Sequence, residues 1–132
     1  MSLPAHRAAL LLKAARAVRQ RAHAPYSKFM VGAAVLDERG RVHVGCNLEN
    51  ASYGLTVCAE RNAIAAGVAA GARRIHAVAV ASDAAPPASP CGACRQVIAE
   101  LGTADTEILI AGLSGAAERT TLGALLPRAF AL

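Results

Sequence analysis

Tryptophan is absent from this sequence of 132 residues, and aromatic side chains make up only 3% of it. A platform that stacks several nucleic-acid bases needs more rings than this, so we do not expect single-strand binding of that kind. No apolar run approaches the ~20 residues that span a bilayer, and Arg and Lys interrupt residues 1–22, where a signal peptide would need an unbroken apolar core. No linker, repeat or low-complexity segment divides the chain, whose length suits one domain of residues 1–132.

Only four cysteines occur, Cys46, Cys58, Cys91 and Cys94. Without a signal-peptide core we expect a cytoplasmic protein, in which thiols stay reduced. Clustered cysteines in that compartment are typical of metal binding or catalysis rather than of disulfides.

Acidic residues are the scarcer charges, 9 against 14 Lys and Arg, which gives a net charge of +5 at pH 7. A basic face can follow the phosphates of a nucleic acid. A solvated helix surface is the commoner reason for such charges, and we favour it here. The basic residues of the first segment are Arg7, Lys13, Arg16, Arg19 and Arg21.

Hydrophobic residues, 55% of the chain, fall in patterns that predict helices and strands. Apolar residues of segment 4–23 recur at helical spacing, whereas segment 75–81 is a dense Val, Ile and Ala run typical of a strand buried on both faces. Residues 37–40 supply a turn, so the first two strands should form an antiparallel hairpin. We predict an α/β protein, a three-layer α/β/α sandwich with a five-stranded mixed sheet. The predicted helices cover residues 4–23, 58–70 and 91–101, the strands cover 31–36, 41–47, 75–81, 106–111 and 116–121, and residues 122–130 form a short helix or coil.

Most of the candidate catalytic and metal-binding residues lie in two short motifs, Cys58-Ala59-Glu60-Arg61 and Pro90-Cys91-Gly92-Ala93-Cys94-Arg95. Thiolates from Cys58, Cys91 and Cys94 can bind one zinc ion and leave its fourth position for water, as catalytic zinc requires. Glu60, two residues beyond the first ligand, can stand beside that water without binding the metal. This arrangement is typical of zinc enzymes that deaminate bases. Both motifs are predicted to begin helices, whose N-termini stabilise thiolates.

The motifs therefore predict hydrolytic deamination of an amino-substituted heterocycle. Zinc would lower the pKa of its water toward ~7, so that zinc-bound hydroxide is the nucleophile. Glu60 would carry a proton from that water to a ring nitrogen and later to the departing amine. Because three thiolates and a hydroxide outweigh the charge of zinc, we expect Arg61 or Arg95 to donate hydrogen bonds to a coordinating sulfur.

Two other interpretations of the cysteines stay open. A structural zinc site could use Cys46 as a fourth ligand, although such sites generally pair two short Cys-x-x-Cys units and this chain has one. A redox pair of Cys91 and Cys94 is the other. Neither gives Glu60 a role, so we favour the catalytic site.

Several further segments follow one another in a recognisable order: Ala24-Pro25-Tyr26-Ser27-Lys28-Phe29, Val31-Gly32-Ala33-Ala34, residues 45–55, the two motifs with Gln96, and Leu125-Leu126-Pro127 with Phe130. In these segments the chain resembles the small cytidine deaminases. The resemblance implies a cytidine deaminase-like fold over residues 1–132 and one Zn2+ per subunit. It further implies a homotetramer, with sites shared between subunits, that converts cytidine and deoxycytidine to uridine and deoxyuridine in pyrimidine salvage.

The resemblance also assigns substrate contacts. It implies that Phe29 packs against the pyrimidine, that Asn47 and Glu49 bind a ribose hydroxyl, and that the backbone N–H of Ala59 contacts the base. A plain core position for Phe29 is the alternative, as is packing of the C-terminal aromatic within its own subunit. The residues implied to reach a neighbouring subunit's site are Asn50, Ala51, Tyr53 and Phe130.

Other functions share parts of the pattern. Deaminases that inactivate a nucleoside antibiotic have the same cysteine motifs, but Leu125-Leu126-Pro127 and Phe130 favour the cytidine enzyme. A zinc-stabilised module that binds RNA or DNA through its basic helix would need no Glu60. Deamination of a base within a polynucleotide fits poorly with the short loops. We expect a small nucleoside substrate, with no nucleic acid or membrane partner.

Overall fold

The computed structural model describes residues 3–132, which contain five strands and four α-helices. The elements agree with the sequence prediction in kind and order, and their bounds shift by a few residues. The first helix ends at Arg19 rather than at residue 23, because His23 already pairs with Leu48 as an isolated bridge. The elements are α1 (Ala5–Arg19), β1 (Gly32–Asp37), β2 (Val42–Cys46), a 3-10 turn (Tyr53–Leu55), α2 (Ala59–Ala69), β3 (Ile75–Ala81), α3 (Gly92–Leu101), β4 (Glu107–Ala111), β5 (Glu118–Thr121) and α4 (Leu122–Leu125).

The strands form one sheet in the order β2-β1-β3-β4-β5. The pair β3 and β4 is parallel, with Val78 opposite Ile108. The other neighbours are antiparallel, including the predicted β1–β2 hairpin, in which Val35 lies opposite His43. The five-stranded mixed sheet is confirmed.

Helices cover the two faces of the sheet, which confirms the three-layer sandwich. On one face, Leu11 and Ala15 of α1 pack on alternate residues of β1, β3 and β4, such as Leu109. On the other face, Ile64 of α2 and Ile98 of α3 pack on the remaining residues of the same strands. The alternation follows from the period of two along a strand. It is the reason why every residue of β1 and β4, and every residue of β3 except His76, is buried. No helix within residues 3–132 has both the length and the apolar character needed to cross a membrane.

Two glycines allow the helices to approach the sheet closely. A Cβ atom at Gly45 of β2 would lie 2.3 Å from the backbone nitrogen of Ala63 in α2. A Cβ atom at Gly32 of β1 would lie 2.0 Å from the carbonyl oxygen of Ala15 in α1. Both distances are far shorter than a van der Waals contact, so a side chain at either position would push a helix off the sheet. Gly45 thereby fixes the distance between β2 and the helix that begins just after Cys58.

Candidate active site

Three sulfur atoms meet where α2 and α3 begin. Cys58 precedes the first residue of α2, Cys91 precedes the first residue of α3, and Cys94 lies in the first turn of α3. The Sγ of Cys91 is 3.9 Å from that of Cys58 and 3.5 Å from that of Cys94, and all three lie within 4.8 Å of one another. Sulfurs bound to one tetrahedral zinc at about 2.3 Å would be separated by about 3.8 Å. The group is therefore positioned to hold a zinc ion.

Cys46 does not join this group within residues 3–132. It lies at the end of β2, opposite Gly32, and its backbone carbonyl accepts a hydrogen bond from Asn62 Nδ2 at 2.8 Å. The sulfur cluster thus has three members, as a zinc site with an open fourth position requires, and not the four of a structural site.

The pKa values of Cys58 and Cys94 are shifted in opposite directions. The hydrogen bond from Cys94, with a second from Arg61, lowers the pKa of Cys58 to about 5 although burial opposes the shift. The same bond to Cys58, together with burial, raises the pKa of Cys94 well above its usual range. Because metal ligation requires thiolates, zinc binding must release the remaining protons.

Glu60 lies in the first turn of α2 and is only 4% exposed. Burial raises its pKa, and the nearby Cys58 thiolate adds to the shift, while Arg61 acts in the opposite direction. A buried carboxyl group whose pKa is raised above its usual value is a candidate for proton transfer. Glu60 therefore has the environment of a general acid–base group beside the sulfur cluster.

The two arginines of the motifs make different contacts. Arg61 places a terminal nitrogen 3.6 Å from the Sγ of Cys58, and its buried Nε has no hydrogen-bond partner within residues 3–132. Arg95 instead donates to the carbonyl of Pro90 at 2.7 Å, the carbonyl of Leu125 at 2.8 Å and the hydroxyl of Ser89 at 3.1 Å. Arg61 is thus the arginine that contacts a sulfur, whereas Arg95 joins the loop before Cys91 to the C-terminal segment.

The chain after β2 runs alongside the start of α2. Leu48 and Val57 exchange two backbone hydrogen bonds, each 3.0 Å long, and His23 pairs with the other side of the same segment. These bridges bring the segment that contains Asn47 and Glu49 alongside the residues just before α2. The sequence motifs in 24–29, 45–55 and 58–61 therefore converge on one end of the sheet.

Asn47 and Glu49 both hold the segment before β1. Asn47 is buried, its Nδ2 donates to the carbonyl of Phe29 at 2.7 Å, and its Oδ1 accepts from the N–H of Val31 at 2.8 Å. Glu49 accepts hydrogen bonds from the N–H groups of Tyr26 and Ser27 and from the Ser27 hydroxyl. The hydroxyl contact is the main reason why the pKa of Glu49 is lowered. Sequence reasoning assigned these two side chains to a ribose hydroxyl and missed their structural contacts.

The remaining predicted site residues lie around the same end of the sheet or on exposed segments. Ala59 is the fully buried first residue of α2, and Phe29 is 36% exposed. Tyr53 is 79% exposed and meets Tyr26 edge-on, with ring centroids 6.3 Å apart. Phe130 is 70% exposed, although its backbone carbonyl accepts a bond from Gln96 Nε2 at 3.0 Å. The exposed loop residues are Asn50, whose Oδ1 accepts from the N–H of Ser52 at 2.8 Å, and Ala51.

Sequence reasoning missed three residues that arrange this site. Ser27 bonds to Glu49 and Phe29, Asn62 ties α2 to the end of β2, and Gln96 tethers the C-terminal segment to α3. Ser27 and Gln96 lie inside the segments that resemble the small cytidine deaminases, and this resemblance was the only feature of the sequence that pointed to them. Asn62 lies outside them, and no sequence pattern pointed to its contact.

Residues 6–110 match the family described as the cytidine and deoxycytidylate deaminase zinc-binding region. The cytidine deaminase of Halalkalibacterium halodurans is 50% identical over 121 residues, which are 92% of this chain and 92% of that protein. The cytidine deaminase of Sporosarcina psychrophila is 48% identical over 120 residues, 91% of this chain and 88% of that protein.

Solved structures of similar proteins agree with the fold. The crystal structure of cytidine deaminase from Burkholderia pseudomallei superposes with a TM-score of 0.88 at 47% identity, and the match covers 97% of this chain and 100% of that one. The cytidine deaminase of Mycobacterium tuberculosis gives a TM-score of 0.82 at 41% identity, over 94% of this chain and 97% of that one. Fold, sulfur cluster and sequence agree over most of the length, and the chain belongs to the cytidine and deoxycytidylate deaminase family.

Proposed function

We propose that this protein is a zinc-dependent cytidine deaminase that adds water to cytidine or deoxycytidine and releases uridine or deoxyuridine with ammonia. The observation that carries the proposal is the buried carboxyl group of Glu60, with its raised pKa, beside three sulfurs spaced for one zinc ion. A structural metal site would not need an acid–base group there. Glu60 therefore favours catalysis over a nucleic-acid-binding module.

Glu60 performs the proton transfers of the proposed reaction. Cys58, Cys91 and Cys94 would hold the zinc ion, which would supply a water acidic enough to react near neutral pH. Glu60 accepts a proton from that water and donates it to the ring nitrogen next to the amino-bearing carbon, which makes that carbon electrophilic. The hydroxide left by that transfer adds to this carbon. Glu60 then takes the proton of the added hydroxyl and donates it to the amino group, whose bond to carbon breaks as ammonia leaves. Burial suits Glu60 for this work, because a carboxyl group far from water exchanges its proton with the substrate rather than with solvent.

Arg61 is proposed to offset the negative charge of the three thiolates. Its position 3.6 Å from the Sγ of Cys58 supports this role, since a hydrogen bond to a thiolate withdraws charge from the metal. Arg95 is not needed for that purpose, because its donors are engaged by Ser89, Pro90 and Leu125.

The substrate contacts are proposed from the family resemblance and supported by free hydrogen-bonding capacity. An amide nitrogen carries two N–H groups, and Asn47 uses one on Phe29. A carboxylate can accept about four hydrogen bonds, and Glu49 accepts three. Each side chain can therefore meet a ribose hydroxyl without giving up its contact to the protein. Phe29 would pack against the pyrimidine, and the backbone N–H of Ala59 would contact its edge.

The assembly is proposed to be a homotetramer in which neighbouring chains complete each site. Exposed apolar side chains near the site support this, because most of their surface is free in one copy. Asn50, Ala51, Tyr53 and Phe130 would contact the substrate bound by a neighbour. We further propose that residues 1–132 act as one domain in the cytoplasm, where cysteines remain free to bind zinc.

A spectrophotometric assay tests the function directly. Cytidine, deoxycytidine and a cytosine-nucleoside antibiotic are supplied in parallel, with and without a zinc chelator, and the change in ultraviolet absorbance is followed. We expect turnover of the first two substrates and its loss after chelation. Turnover of the antibiotic alone would indicate the related antibiotic-inactivating activity, and no turnover of any nucleoside would favour the binding module.

A further inference from the structure

Ser27 connects two residues that are proposed to hold different parts of the substrate. Its hydroxyl donates to the carboxylate of Glu49 and accepts the backbone N–H of Phe29 at 3.0 Å. The N–H groups of Tyr26 and Ser27 donate to the other oxygen of the same carboxylate, at 2.9 and 3.2 Å. The Glu49 side chain thus reaches Phe29 through one intervening hydroxyl.

The backbone of Phe29 is held on both sides. Its N–H is bound by Ser27, and its carbonyl accepts a bond from Asn47 Nδ2 at 2.7 Å. The other end of the Asn47 amide accepts from the N–H of Val31 at 2.8 Å. The two side chains proposed to bind a ribose hydroxyl are therefore the same two that fix the aromatic residue proposed to contact the base.

The loop that carries Phe29 needs such external support. It has no helix or strand between α1 and β1, and Lys28 has a φ angle of +62°, a left-handed conformation that residues with a side chain adopt at a cost. Bonds to Glu49 and Asn47 hold the loop in that form. Bonds in which a carboxylate accepts are stronger than neutral ones, so the Glu49 contacts are the stronger support.

We propose that Ser27 is a positioning residue that couples recognition of the sugar to the placement of Phe29 against the base. The inference rests on the proposed function, in which Glu49 binds a ribose hydroxyl and Phe29 the pyrimidine. A hydroxyl that binds Glu49 orients the carboxylate, which orients Ser27 and through it the backbone of Phe29. A substrate that cannot make the sugar contact then loses part of its base contact as well.

The first test compares substrates that differ by one hydroxyl. Values of kcat and KM are measured for cytidine, 2′-deoxycytidine and 3′-deoxycytidine with the zinc-loaded wild type, Ser27→Ala, Ser27→Thr and Glu49→Gln. Ser114→Ala, an exposed serine in the β4–β5 turn, is the matched control. The penalty for a missing hydroxyl is the factor by which kcat/KM falls from cytidine to a deoxycytidine. We expect Glu49→Gln to reduce this penalty. Ser27→Ala should reduce it by about tenfold, the order expected for a lost hydrogen bond to a charged group. Ser27→Thr should restore it, because threonine keeps the hydroxyl.

The outcomes separate the inference from the function on which it rests. If Ser27→Ala lowers kcat/KM by one common factor for all three substrates while Glu49→Gln changes discrimination, Ser27 has only a structural role and the coupling is wrong. If Glu49→Gln changes no penalty, the assignment of Glu49 fails and the coupling fails with it. Zinc content and thermal midpoint are measured for each variant. Should Ser27→Ala not fold, Ser27→Cys retains a weak donor of similar size and should show a smaller change in the same direction.

A second test addresses the base directly. The effect of Ser27→Ala on kcat/KM for cytidine is measured in the wild type and in Phe29→Leu. If Ser27 acts through the aromatic ring, its replacement should cost about tenfold beside Phe29 and clearly less beside leucine. Equal costs in the two backgrounds would show that Ser27 acts independently of Phe29 and would overturn the proposal.

Discussion

A terminal nitrogen of Arg61 in α2 lies 3.6 Å from the Sγ of Cys58, the residue that directly precedes this helix. Replacing Arg61 with alanine should lower either zinc affinity or kcat by roughly 10–100-fold, the usual effect of losing a partner of a metal ligand. Zinc content and rate are measured separately, with exposed Arg74→Ala as the control for loss of one positive charge. If both quantities stay at wild-type values, Arg61 does not offset the thiolate charge.

Glu60→Gln should preserve zinc and fold but lower kcat by ~100–10,000-fold, because the amide cannot accept a proton and pass it on. Steady-state rates and zinc content are compared with those of Glu100→Gln, a change of the same kind at an exposed position on α3. A Glu60→Gln protein that retains more than a tenth of the rate would contradict the proton-transfer role.

Removal of residues 128–132 should raise KM for cytidine by about tenfold, the order expected for losing one aromatic contact. Zinc content should not change, since no sulfur is involved. Phe130→Ala is the matched variant and should give most of the effect, because Phe130 is the aromatic residue of this segment. Full activity of the shortened chain would argue against a site completed by a neighbouring subunit.

Asp37→Asn should destabilise the protein at neutral pH by about 3 kcal/mol, because the buried carboxylate accepts hydrogen bonds from Arg39, Arg41 and His43. Burial alone would raise the pKa of Asp37, but the bond from His43 and those from the Arg41 and Arg39 backbones hold it well below the usual range. The stabilisation is therefore fully present above the unfolded pKa of about 3.9 and declines as the pH falls below it.

The measurement is denaturant unfolding of wild type and Asp37→Asn from pH 7 to pH 3. Both proteins lose zinc at low pH, so their difference in free energy isolates Asp37. We expect this difference to shrink as the pH approaches 3. A difference that stays constant would mean that the charge of Asp37 does not contribute.

Gly45→Ala should lower the free energy of unfolding by about 1–3 kcal/mol, because the added Cβ would lie 2.3 Å from the backbone of Ala63 and force α2 away from β2. Gly54→Ala is the matched control for stability, since a Cβ there would meet no atom within 4 Å. Equal thermal midpoints for the two variants would contradict the close approach.

The sequence predicted those parts of the structure that are determined by residues close together in the chain. Val, Ile and Ala runs specify β3 and β4, and the cysteine motifs specify helix starts that bring three sulfurs together. The sequence could not show which of Arg61 and Arg95 contacts a sulfur, because each directly follows a motif residue. The difference arises in the tertiary structure, which places the guanidinium of Arg61 near Cys58 and that of Arg95 near the carbonyl of Leu125. The contacts of Ser27 to Glu49 and of Asn62 to Cys46 likewise join residues 22 and 16 positions apart, and no periodicity encodes such distances.

The proposed metal ligand, acid–base group and cationic partner lie within four consecutive residues, 58–61, where α2 begins. Their mutual spacing is inherited from the α-helical backbone and does not depend on the loop that delivers the other two sulfurs. Removal of the metal ion would therefore leave the Glu60 carboxyl group in its position. A depleted preparation should regain function on simple resupply of the ion, without refolding of the chain.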